Sequence, residues 1–73
     1  MQEVTLKEIH KIFEITDPMG VSREALVIPL AARHPGRVRK MPNGKIEIVV
    51  DSNADFEEWL RGLESAIRSA MGT

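Results

Sequence analysis

The side chains able to do chemistry are few and stand apart in the sequence. The chain has two histidines, His10 and His34, and no cysteine. No His-Glu-x-x-His motif puts two imidazoles on one helix face, and no His/Asp/Glu set has metal-ligand spacing. Ser22, Ser52, Ser65 and Ser69 lack the strand-turn-helix context that exposes a nucleophilic serine. Ser22 and Ser52 are better explained as helix caps. Asp51, Asp55, Glu57 and Glu58 gather carboxylates, but no calcium-loop pattern runs through them. Acids at the start of a helix are accounted for by its dipole. Gly36 and Gly44 belong to turns and form no glycine-rich phosphate loop. The expectation is no catalytic residue, no metal and no cofactor, hence no enzyme. An enzyme reading would require zinc held by two histidines 24 positions apart.

One charge pattern is not evenly spread. Arg33, Arg37, Arg39, Lys40 and Lys45 fall within thirteen residues that contain no acid. They account for five of the ten lysines and arginines. These five are the candidate partner-binding residues. Such a cluster can touch phosphates, meet an acidic protein, or simply solvate a sheet and guard its edge against aggregation. No aromatic residue is interleaved for base stacking.

The cluster sits on a β-hairpin. Residues 37–41 and 45–50 alternate around Pro42-Asn43-Gly44. Pro42 presets φ for a type I turn, with Gly44 in the left-handed position. Val38, Ile46 and Ile48 then face the core, and Arg37, Arg39 and Lys45 share the outer face. The run 46–50 turns apolar on both faces near its end, which marks an inner strand or a covered one.

An amphipathic helix over residues 55–71 follows. Phe56, Trp59, Leu60, Leu63, Ala66, Ile67, Ala70 and Met71 make one stripe at helical spacing. Glu57/Arg61 and Glu64/Arg68 are i,i+4 pairs on the other face. Ser52, Asn53 and Asp55 are N-cap candidates, Gly72 suits the C-terminal end, and Trp59 is expected to anchor the core.

Ahead of the hairpin, residues 1–3 read as a frayed end. Thr5-Leu6-Lys7-Glu8 is a capping box opening a helix over 6–15, with Leu6, Ile9, Ile12 and Phe13 on one face. Asp17-Pro18 ends it. Residues 22–34 fit two descriptions. Ser22 caps a helix that Pro29 must kink, or residues 25–30 form a strand that Pro29 confines to an edge. The fold class is therefore α+β: an N-terminal helix, a small antiparallel sheet with a possible third strand over 25–30, and a C-terminal helix.

Seventy-three residues make one small domain. Such a chain buries roughly 60% of its unfolded surface, which leaves no room for a deep cleft. The net charge of −1 points to no general attraction for nucleic acid or membrane. No apolar run approaches a membrane span and no apolar leader opens the chain, so the expected location is the cytoplasm.

Residues 26–71 resemble the front part of the ImmA/IrrE type of zinc metallopeptidase. Val27-Ile28-Pro29-Leu30 matches a strand ending in a Val-Pro-Leu-like step. Residues 46–50, Asp51-Ser52 and residues 56–71 match the strand, acid and helix that follow it. In that family the helix carries the zinc-binding His-Glu-x-x-His motif. Ser65 and Ser69 stand where its histidines would, and Ala66 where its glutamate would. The resemblance implies a related scaffold without the metal site. The expected function is a non-catalytic domain that binds another protein. The alternative is a nucleic-acid-binding module, with residues 22–34 as a recognition helix and the basic hairpin as its wing.

Overall fold

In the computed structural model, which describes residues 2–72, the chain forms three helices and a three-stranded sheet. Helix α1 is Leu6–Thr16, the strands are β1 Leu26–Val27, β2 Arg37–Lys40 and β3 Ile46–Val49, and helices α2 and α3 are Phe56–Arg61 and Leu63–Ala70. This is the α+β class the sequence predicts.

The hairpin closes through local bonds. Gly44 donates to the Met41 carbonyl at 2.9 Å, Met41 donates to the Lys45 carbonyl at 2.7 Å, and Asn43 Oδ1 accepts from the Lys45 amide at 3.0 Å. Gly44 has φ +87°, the left-handed conformation that the Pro-Asn-Gly turn requires of it. The pairing sets Arg37 opposite Val49, Val38 opposite Ile48, Arg39 opposite Glu47 and Lys40 opposite Ile46.

β3 is the central strand, in the order β1-β3-β2, which explains its apolar run. The sheet is mixed rather than wholly antiparallel, because β1 joins β3 in parallel. Residues 22–34 therefore contain no recognition helix. Ser22 caps a single 3-10 turn, Arg23–Ala25, and the chain then extends. Pro29 decides between the two readings, since its ring and missing N–H oppose a helix interior. Leu26 and Val27 pair with Ile46 and Glu47, but Arg33 bridges to Asp51. Six residues on one side thus match four on the other, and residues 28–32 bulge from the sheet. The N-terminus fills that bulge: Val4 donates to the Leu30 carbonyl at 2.7 Å and Ala32 to the Gln2 carbonyl at 3.0 Å. Gln2 and Glu3 are thus tied down rather than frayed; Met1 lies outside the described residues.

After residues 33–35, with a cis His34–Pro35 peptide, the chain crosses the end of β3 to reach the far edge. Gly36 is the crossing point. A Cβ there would lie 2.6 Å from the Asp51 amide nitrogen and 2.7 Å from the Val49 carbonyl oxygen. Glycine is required by this close approach of two backbones.

One face of the sheet carries the core. Val4, Ile12, Ile46, Ile48, Val50, Leu63 and Ile67 are buried together, with Val38 partly buried against them. The capping box forms: the Thr5 amide donates to Glu8 Oε1 at 2.8 Å, and the Thr5 hydroxyl bonds the same carboxylate. Leu6, expected on the apolar face of α1, is 72% exposed, while Thr16 is buried. The C-terminal stripe is two helices rather than one. Gly62 separates them, donating to the Trp59 and Leu60 carbonyls, and Asp55 caps the first by accepting from the Glu58 amide. The fully buried anchors are Leu63 and Ile67. Trp59 is half-buried at the margin, its ring stacked on Phe56 at 5.7 Å. Glu57 pairs with Lys11 of α1 at 2.8 Å, across the layer, while Glu64 pairs with Arg68 as expected.

Candidate interaction face of the sheet

Among the described residues, no helix lies over the face of the sheet turned away from the core. Strand alternation puts Glu47, Val49 and Asp51 there from β3 and its extension, with Arg37 and Arg39 from β2. Residues 33–36 cross over one end and bury Val49 to 5% exposure. What remains is a shallow concavity lined by Pro29, Arg33, His34, Pro35, Arg37, Glu47 and Val49.

Glu47 organises the cations. Arg39 donates from Nε to Glu47 Oε1 at 2.8 Å, and Arg37 Nη2 stands 3.6 Å from the same oxygen. The Glu47 side chain is 15% exposed, whereas those of Arg37 and Arg39 are 62% and 43% exposed. One carboxylate thus holds Arg39 by a hydrogen bond and has Arg37 within ion-pair distance, while both arginine side chains stay largely open to solvent. The reason is cross-strand geometry: Arg39 lies directly opposite Glu47, and Arg37 lies on the diagonal.

At the other end, Asp51 is the hub of the crossover. It accepts from the Asn53 amide at 2.8 Å and from His34 Nδ1 at 3.1 Å. The Asn53 amide first, then His34 and the Gly36 amide, hold the Asp51 carboxyl below its ordinary range.

The five predicted residues are only partly brought together. Arg33, Arg37 and Arg39 meet around Glu47 and Val49. Lys45 is exposed at the turn with the parity of Glu47. Lys40 alternates to the other face, opposite Ile46, and lines a separate pocket with Met19 and Met71. Four cations therefore share the open face with two carboxylates. Glu47 is the residue the acid-free window hides, because it lies two positions beyond it. Counting outward from the Asn-Gly turn was the available signal, since that register sets Glu47 against Arg39.

His10 is exposed on α1, apart from His34. It borders a concavity where Arg23 lies over the Phe13 ring at 4.5 Å and pairs with Asp17 at 2.7 Å. That arginine holds the Asp17 carboxyl below its ordinary range. Ser65 and Ser69 are exposed on α3. Among the described residues no three His, Asp or Glu side chains stand close enough to hold a metal ion, and no helix is long and apolar enough to cross a membrane.

Comparison with protein-family models, curated proteins and solved structures finds no match to this chain.

Proposed function

We propose that this chain is a small non-catalytic domain that binds an acidic protein partner on the open face of its sheet. The observation behind this reading is that Arg37 and Arg39 are gathered by one nearly buried carboxylate, with Arg33 lining the same concavity. Arginine held in this way is pre-oriented, so less side-chain freedom is lost when it meets a carboxylate. The chain as a whole is slightly acidic, so this face differs in sign from the rest of the molecule, a separation that orients an approaching acidic protein. The scaffold resemblance to ImmA/IrrE-type peptidases is compatible with such a role, since its metal-site positions are Ser65, Ala66 and Ser69.

Phosphate binding by a basic hairpin is the second reading. It retains the cations but has no recognition helix in residues 22–34. The two readings separate by experiment. Affinity purification from nuclease-treated lysate with the wild type, and with R33E/R37E/R39E, tests the face. A protein retained by the wild type and lost by the folded variant supports the proposal. Capture that disappears on nuclease treatment overturns it.

A further inference from the structure

The open face ends at a free sheet edge, and beside that edge lies a groove. β2 pairs with β3 on one side, and among the described residues no strand covers its other side. Along this edge runs a groove of about 330 Å³, lined by Gly36, Arg37, Val38, Trp59, Gly62 and Leu63, with Glu58 and Ala66 completing it. Its floor is open at Gly62, where an added Cβ would have only the Trp59 carbonyl oxygen near it, at 3.9 Å. The opposite edge of the sheet differs. There β1 is two residues long, and the Gln2–Val4 arm covers the bulge beyond it.

Antiparallel ladders alternate. Met41 donates to Lys45, so Arg39 and Arg37 also turn their backbone groups toward β3, and those of Val38 and Lys40 point outward. We infer that β2 is a docking edge for an extended acidic segment of a partner protein, which adds to the sheet as a fourth strand. This rests on the proposed function and specifies its mode. The side chains of an added strand alternate between two environments. Those beside Arg37 and Arg39 lie on the basic open face and suit Asp or Glu. Those beside Val38 lie over Trp59, Gly62 and Leu63 and suit an apolar group. The groove also holds Glu58, which repels an anion placed there. The segment that fits therefore alternates acid with apolar residues.

The same features select against other occupants. A second copy pairing antiparallel through the outward groups of Val38 and Lys40 would put Arg37 opposite Arg39, or Arg39 opposite its own copy, a cation against a cation. A nucleic acid carries charge on every nucleotide, and neither the apolar floor nor Glu58 accommodates it.

The test uses the intact chain, labelled with 15N, and a blocked seven-residue peptide, Glu-Val-Glu-Leu-Glu-Val-Glu. Three companions are titrated beside it: the same peptide N-methylated on its alternate edge-facing amides, its Lys-for-Glu counterpart, and an oligothymidylate of equal charge. The expected result is saturable shifts along β2, with the Val38 and Lys40 amides gaining hydrogen-exchange protection. Affinity should fall at least tenfold for the N-methylated and Lys peptides. R39E should lose at least tenfold, and so should Gly62→Phe, which fills the groove on a backbone that accepts a side chain. Both variants are checked for native circular dichroism. Equal binding of the N-methylated peptide, with shifts confined to Arg33, Arg37 and Arg39, overturns strand addition and leaves the acidic-partner reading standing. No shift with any peptide, or tighter binding of the oligothymidylate, overturns both. Concentration-dependent self-association that protects the Val38 amide without peptide assigns the edge to a second copy and overturns the inference.

Discussion

Gly36 marks how closely two segments of backbone approach one another. Its missing Cβ is the space into which the Asp51 amide and the Val49 carbonyl fit. Gly36→Ala is expected to cost more than about 2 kcal/mol, because no flexible side chain is available to yield. Gly44→Ala meets open space but is strained by its positive φ, and should cost about 1 kcal/mol. Urea unfolding of the two variants gives the order directly. Leu63 and Trp59 make a second contrast. Leu63 is 1% exposed, so Leu63→Ala should lose about 2–5 kcal/mol, comparable with the stability of so small a chain. Trp59 sits at the groove, and Trp59→Ala should remain cooperatively folded by thermal circular dichroism. Iodide should quench Trp59 emission in the intact protein to an intermediate degree. Complete shielding would place the ring in the core instead.

At the scale of elements, the break between α2 and α3 is the least expected feature. Gly62 has φ −95° and ψ −2°, a conformation open to any residue. The break therefore does not depend on glycine's freedom, and a Cβ there is in ordinary contact only. Gly62→Ala should stabilise the protein by about 0.4–1 kcal/mol by restricting the unfolded chain, raising the melting temperature by a few degrees. A lower melting temperature would show that Gly62 takes up a backbone geometry alanine resists. The Lys11–Glu57 pair joins α1 to α2. Both ends are exposed enough for solvent and salt to weaken the pair, so the core rather than this bridge holds the layers.

For the whole molecule, three carboxylates contribute to the response to acid. The Thr5 hydroxyl and amide lower Glu8, Arg23 lowers Asp17, and the Asn53 amide with His34 lowers Asp51. The unfolded chain therefore takes up protons at a higher pH than the folded one. Stability from these groups is complete above the ordinary carboxylate range, and it is lost as pH falls through that range and below it. Denaturant unfolding between about pH 5 and pH 3 should show stability dropping with pH. Glu8→Gln and Asp51→Asn should each begin less stable and show a shallower drop. A wild-type stability flat across that window would show that these contacts are not kept in solution.

The sequence by itself determined what is made by neighbours along the chain. The Thr5/Glu8 box, the Pro42-Asn43-Gly44 turn, the inward set Val38, Ile46 and Ile48, and the Glu64/Arg68 pair each depend on residues a few positions apart or on simple alternation. Those constraints survive in isolation, and they were enough to define the α+β class. Tertiary structure decided the rest, because it depends on which distant backbones meet. Parallel pairing of β1 with β3 joins residues 20 positions apart in sequence. The bulge at residues 28–32 is explained only once the N-terminal arm is seen filling it. Gly36 looked like any turn glycine until Asp51 lay against it. In the candidate site the cations were legible as composition, but Lys40 left the face through strand alternation and Glu47 entered it through hairpin register. The groove beside β2 was legible nowhere in the sequence. Its walls come from residues 36–38 and 58–66, and only the packing of α2 and α3 beneath the sheet brings them together.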